Sequence, residues 1–243
     1  MKFVSVLSAV LFTSVLSIAA PTAQSATPNV PGLAATPALS AAAAGNEHTC
    51  IIRDGNVWCT GSNSRGQLGN GTTTRSIAFT PSLMTNAVQL SANTHSTCAV
   101  RIDATLWCWG QIISSLDALT IPPAIVRVDS PIPVQIPLVG VTSVSVGANH
   151  SCAILQDRTL WCWGLGTSGQ LGDGTKTNTV VPVRVRIDSV ISADVGLAHS
   201  CAVRSTGSVW CWGSNQDRRL GLRSSASQSV PAYVPTVRAT LVT

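Results

Sequence analysis

Four short stretches of this chain carry residues with real chemical reach: HTCIIRDGNVWCTG (48–61), HSTCAVRIDATLWCWG (95–110), HSCAILQDRTLWCWG (150–164) and HSCAVRSTGSVWCWG (199–213). Each holds one His and two Cys. Imidazole and two thiolates are zinc ligands. A thiolate beside an imidazole is a nucleophile. Two cysteines facing each other across a hairpin form a disulfide. The three chemistries demand different geometries, so the elements that position the cysteines decide between them.

The turn between the paired segments sets that geometry. In the first stretch Asp54-Gly55 is a strong two-residue hairpin signal, closed by Arg53 opposite Asn56. Antiparallel pairs alternate between hydrogen-bonded and non-hydrogen-bonded, and stepping outward puts Cys50 opposite Cys59 at a non-bonded position, where strands lie closest. The other stretches have one more turn residue. Ser205-Thr206-Gly207 fits a three-residue loop with Gly in the left-handed position, which sets Cys201 opposite Cys211. The same count pairs Cys98 with Cys108 and Cys152 with Cys162. Thiols this close and similarly aimed leave no room for a tetrahedral centre shared with the His, so the reading is four disulfides and no metal. A nucleophilic Cys is usually single, whereas here all eight have partners.

The start of the chain agrees with oxidation. MKFVSVLSAVLFTSVLSIAAPTAQSA has Lys2, an apolar run from Phe3 to Ala20, and Ala23 and Ser25 placed as at a small-residue cleavage site. Residues 1–25 read as a secretory signal peptide, 26–37 as a Pro/Ala-rich linker and 38–243 as one repeat domain. The run is barely long enough to span a membrane and has no charged stop after it, so no stable membrane span is expected after cleavage. The expected location is secreted or extracytoplasmic, in the periplasm or at the cell surface, where disulfides persist. Charged residues are 10% and hydrophobics 45%, which excludes a disordered tail. The formal charge of +5 comes from scattered residues without a basic stripe, so no nucleic-acid partner is expected.

The repeated His falls at 48, 95, 150 and 199, giving intervals of 47, 55 and 49 residues. Such periods mark a propeller blade or another repeat of one supersecondary unit. Each unit has an alternating run (VTSVSVG, 141–147), the His-Cys segment, the Trp-Cys segment, a Gly-rich loop and a Pro-bounded run (VVPVRVRI, 180–187). Period-2 alternation rich in Val and Trp predicts four strands per unit and an all-β fold, in units of about 38–84, 85–139, 140–188 and 189–243. Strand alternation puts Trp107 and Trp109 on the face opposite Cys108, as it does Trp161 and Trp163, and Trp210 and Trp212; the first unit has Trp58 but Thr60. Their recurrence favours packing between units over a carbohydrate platform. The four His share one repeated position and read as structural.

These co-ordered motifs, HSCA, WCWG and a loop ending GQLG, resemble the regulator of chromosome condensation repeat family. The loop stands as GSNSRGQLGNGT (61–72), GTSGQLGDGT (166–175) and, degraded, GSNQDRRLGLRS (213–224). The resemblance spans about residues 38–240 and implies a β-propeller of four-stranded blades. Here there are about four blades, against seven in the family's best-known members, so an open or incomplete ring is one expected arrangement. Gly66, Gly69, Gly71, Gly169, Gly172 and Gly174 suit positive-φ turns. Leu68 and Leu171 would plug the loop into the blade.

The second unit departs from the pattern. In place of GQLG stands QIISSLDALTIPPAIVRVDSPIPVQIPL (111–138), long and apolar, stiffened by Pro122, Pro123, Pro131, Pro133 and Pro137. Ile112, Ile113, Leu116, Leu119, Ile121 and Ile125 are the candidate protein-binding residues, unless they pack against a neighbouring blade. Nothing in the chain offers HExxH, a unique Ser/His/Asp order or a close carboxylate pair. The expectation is a non-enzymatic, secreted β-propeller without cofactor that binds an extracellular or envelope protein at a blade rim; the oligomeric state stays open. The resemblance also implies guanine-nucleotide exchange on a small GTPase, and exposed Trp would suit a carbohydrate- or cell-surface-binding module.

Overall fold

The computed structural model describes residues 39–117 and 123–242. The expected leader, the linker, and the candidate contacts Leu119 and Ile121 lie outside the described residues.

Sixteen strands form four four-stranded antiparallel meanders in chain order. Blade 1 is β1 (Leu39–Ala44), β2 (His48–Arg53), β3 (Asn56–Gly61) and β4 (Ser76–Pro81). Blade 2 is β5 (Ala87–Ala92), β6 (Ser96–Arg101), β7 (Leu106–Asp117) and β8 (Ala124–Ile136). Blade 3 is β9 (Val141–Val146), β10 (His150–Leu155), β11 (Leu160–Gly164) and β12 (Thr179–Arg184). Blade 4 is β13 (Val190–Val195), β14 (His199–Arg204), β15 (Ser208–Gly213) and β16 (Gln228–Arg238). The described residues hold no α-helix, only a 3₁₀ turn at Gln216–Arg218, and hence no helix long and apolar enough to cross a membrane.

The hairpins carry the expected register. Asp54 and Gly55 both take positive φ (51° and 74°), as a two-residue primed turn requires. In the three-residue turns the left-handed position falls to Ala104 (60°), Arg158 (63°) and Gly207 (79°). Cys50 pairs with Cys59, Cys98 with Cys108, Cys152 with Cys162 and Cys201 with Cys211, at S–S distances of 2.03–2.12 Å and Cα–Cα distances of 4.1 Å. Among the described residues no cysteine is free and no group of three His, Cys, Asp or Glu could hold a metal ion.

Alternation gives each blade two unlike faces. One bears the disulfide with a buried aliphatic pair: Ile52 and Val57, Val100 and Leu106, Ile154 and Leu160. It packs on the next blade's opposite face, which carries a small residue and a buried indole: Ala99 with Trp109, Ala153 with Trp163, Ala202 with Trp212. The cores therefore lie between blades. Burying an indole of this kind removes well over 100 Å² of apolar surface from water, worth several kcal/mol per seam. Blade 4's disulfide face packs on Leu220 of its own loop, on Val234 of β16 and on Ala239 and Val242 after it, and among the described residues no core cluster joins blade 4 to blade 1. The described blades form an arc, not a closed ring.

A polar clasp accompanies two of the three seams. At the first, the main-chain carbonyl of Gln67 accepts from Trp109 Nε1 (2.9 Å) and Thr97 Oγ1 (3.0 Å). Thr97 has spent its proton there, so His48 Nε2 donates to it (2.8 Å). At the third, Gln170 O accepts from Trp212 Nε1 (2.8 Å) and Ser200 Oγ (2.9 Å), and His150 Nε2 donates to Ser200 Oγ (2.7 Å). The loop can reach this far because Gly66 and Gly169 take φ of +80° and +83°, and a Cβ at either would lie 2.5–2.6 Å from the next blade's outer strand. The expected plugs, Leu68 and Leu171, are fully buried.

Candidate functional site

The second unit's departure becomes a two-stranded ribbon. β7 and β8 continue beyond the length of the other blade strands, pairing Ile112 with Val128, Ile113 with Arg127, Leu116 with Ile125 and Asp117 with Ala124, with a bulge between Ile113 and Ser115. The sequence supports this locally: AIVRV alternates at the strand period, and Pro131 and Pro133 sit on an outer strand, where a missing N–H costs no ladder bond.

One ribbon face turns to blade 3. Ile113 is half-buried against the cluster of Cys98, Cys108, Val146 and Trp163. Ile113 Cδ1 reaches to 3.0 Å of where a Cβ on Gly164 would stand, and at the equivalent glycines of blades 2 and 4 the neighbours are Gln67 Cα and Gln170 Cβ. Ile113 thus occupies the place of the missing Gln. Arg127 Nη2 donates to Asn149 Oδ1 (2.8 Å), and Asn178 Nδ2 to Pro123 O (2.6 Å). The ribbon is also tied to blade 1: Gly71 N donates to Pro131 O (2.9 Å), and Arg65 pairs with Asp129 at 3.0 Å, an exposed bridge worth at most about 1 kcal/mol.

The other face is bare. Val126 (36%) and Val128 (43%) are exposed along β8, with Ser114 and Ser115 beside them; Ile132 (49%) and Val134 (37%) are exposed further along the same strand, beyond the bulge opposite Trp109. Of the sequence candidates, Ile112, Ile113, Leu116 and Ile125 are half-buried rather than free. The exposed valines are not among the sequence candidates, although the alternation of AIVRV already separates Val126 and Val128 from Ile125 and Arg127.

The repeated histidines and tryptophans are accounted for by packing. Burial holds His48 down to about 4, with the neighbouring His95 as the smaller cause, and His150 down to about 3, with His199 contributing. Both imidazoles are neutral near pH 7 and act as donors in the clasps. The second indole of each pair is half-buried, and its Nε1 is taken by Thr105, Thr159 or Ser208. Arg53, Arg101 and Arg204 stand over Trp58, Trp107 and Trp210 at 5.9–6.0 Å, covering ring faces on which a sugar would stack.

Comparison with known proteins agrees with this geometry. The family described as "Regulator of chromosome condensation (RCC1) repeat" matches residues 54–100, 158–203 and 206–243, and a second family of the same description matches 40–67, 141–170 and 190–218. Human Regulator of chromosome condensation is 32% identical over 136 residues, which cover 54% of this chain and 32% of that protein. The mouse protein is 31% identical over the same extent. The chain thus spans about a third of the length of the curated relatives it matches. Among solved structures, human WBSCR16 aligns with a TM-score of 0.69 at 22% identity, covering 81% of this chain and 52% of that one. Yeast RCC1 (Prp20), solved bound to Kap60, aligns with a TM-score of 0.70 at 20% identity, covering 84% and 50%. A structure of Prp20p from Saccharomyces cerevisiae, described together with its binding to Gsp1p and histones, aligns with a TM-score of 0.69 at 19% identity.

Proposed function

From the premise that this chain belongs to the regulator of chromosome condensation repeat family, we propose that it is an exported, non-enzymatic β-propeller arc that binds another protein through the β7–β8 ribbon. The observation that carries this reading is the ribbon's bare face. The ribbon departs from the repeat in length, and it leaves Val126 and Val128 exposed side by side on one face. Protein binding is also the behaviour named for similar folds, as in the Kap60 complex. Four disulfides, with no free thiol among the described residues, favour an oxidising compartment over the nucleus and support export.

The test compares wild type with Val126→Ser/Val128→Ser. Each is used to capture proteins from the secreted and cell-surface fractions and is also assayed for guanine-nucleotide exchange on a small GTPase. The expected result is a discrete captured protein lost in the variant, with the melting temperature unchanged and no exchange. Identical capture by both proteins would sink the ribbon as the binding site. Exchange activity would restore the catalytic role that the family resemblance implies.

A further inference from the structure

The middle seam lacks the carbonyl that the other two share. Ser151 and Trp163 are the counterparts of Thr97 with Trp109 and of Ser200 with Trp212, as the cross-strand pairing shows. In the outer seams the hydroxyl and the indole N–H both donate to a Gln main-chain oxygen. Here Ile113 has taken the Gln's place, and an aliphatic side chain accepts nothing. Among the described residues, neither Ser151 Oγ nor Trp163 Nε1 has a hydrogen-bond partner.

Both residues line a crevice of about 40 Å³ between blades 2 and 3, which continues into a vestibule of about 230 Å³. Ser96, Gln111, Arg127 and Asn149 line both spaces. Arg127 is the one Arg, Lys, Asp or Glu among the residues lining either. It has no carboxylate partner among the described residues, and it donates to the neutral Asn149 amide. His150, at the crevice wall, is fully buried with its Nε2 committed to Ser200.

We propose that this crevice is a binding site for a peptide carboxylate, which takes the position the Gln carbonyl holds in the outer seams. A hydroxyl, an indole N–H and a guanidinium are three donor groups without a competing acid, and guanidinium with carboxylate is the strong charge-assisted pairing. The size fits. A buried water needs about 10–15 Å³ of such space, so the crevice holds the two carboxylate oxygens and little more. The vestibule receives the rest of the residue. The assignment is independent of the ribbon's bare face, because the crevice lies beneath the opposite face.

The experiment follows the seven indole N–H resonances in protein labelled with ¹⁵N on tryptophan, with Trp163 assigned through Trp163→Phe. Acetate is titrated to roughly 100 mM, with acetamide as the neutral isostere. The Trp163 resonance moves saturably with acetate and at least about tenfold more weakly with acetamide, while Trp109 and Trp212, already bonded to carbonyls, stay in place. Arg127→Met weakens acetate by at least about tenfold. If that variant disturbs the Trp109 and Trp212 resonances, Arg127→Gln and Ser151→Ala carry the same test. Blocked dipeptides ending in an amidated Asp or in a free C-terminal carboxylate then tell a side-chain source from a chain terminus. No saturable movement of Trp163, an equal response to acetamide, or full acetate binding after loss of the Arg127 charge would each overturn the assignment.

Discussion

At the residue scale, two groups of side chains are held away from their intrinsic preferences. Ala104 and Arg158 take the left-handed position that Gly207 fills in the fourth hairpin. A Cβ there costs about 1–2 kcal/mol, partly offset because Gly has more freedom to lose on folding. Ala104→Gly and Arg158→Gly should therefore each raise stability by about 0.5–1 kcal/mol, read from urea midpoints. A loss of stability would show that the side chain's contacts outweigh its strain. The second group is His48 and His150. Their folded pKa values, about 4 and about 3, lie below the ordinary 6.5, so between these limits the unfolded chain binds more protons. Stability is then complete above pH 6.5 and falls as pH drops, by up to about 1.4 kcal/mol per pH unit for each His, until the folded-state pKa is reached. Replacing His48 with Gln should flatten the slope of stability against pH between 4 and 6. An unchanged slope would mean that burial of His48 does not govern acid sensitivity.

At the element scale, the hairpin and the ribbon make separate predictions. Non-reducing peptide mapping should recover the four bridges within hairpins and none between blades. Each closes a loop of 9 or 10 residues, for which removal of Cys152 and Cys162 together should cost about 2–3 kcal/mol. On the ribbon, the two faces should differ. Ile113→Ala removes a side chain packed beside Trp163 and should lower stability by about 2 kcal/mol. Val126→Ser with Val128→Ser touches exposed positions and should stay within about 0.5 kcal/mol of wild type. Thermal melts compare them directly. If the valine pair proves as costly as Ile113→Ala, the bare face is covered in solution.

At the scale of the whole molecule, the residues that make seams are missing where a ring would close. On blade 1's outward face the position of Trp109, Trp163 and Trp212 is held by Thr60, and in blade 4's loop Arg219 stands where Gln67 and Gln170 stand. Blade 4 against blade 1 would therefore have neither the indole donor nor the clasping loop of a normal seam. Small-angle scattering on monomeric protein should fit an open arc, and a profile matching a compact four-bladed ring would overturn it.

Much of this was legible in the sequence because it depends on neighbours a few residues apart. Asp54-Gly55 and Ser205-Thr206-Gly207 set hairpin lengths, hairpin lengths set register, and register brought Cys50 to Cys59 and Cys201 to Cys211. The repeat interval and alternation likewise determined four meandering blades. Tertiary structure decided what depends on residues some 30 to 65 positions apart, such as Trp109 with Gln67 or Arg65 with Asp129. Residues 111–117 and 124–130 are apolar on both ribbon faces, and alternation alone cannot say which face is covered. Blade 3 decides it: with no side chain at Gly164, its surface receives Ile113, and Val126 and Val128 are left to water. The same exchange of a Gln loop for an Ile left Ser151 and Trp163 facing an open crevice, because filling a place with hydrocarbon restores packing but not a hydrogen-bond acceptor.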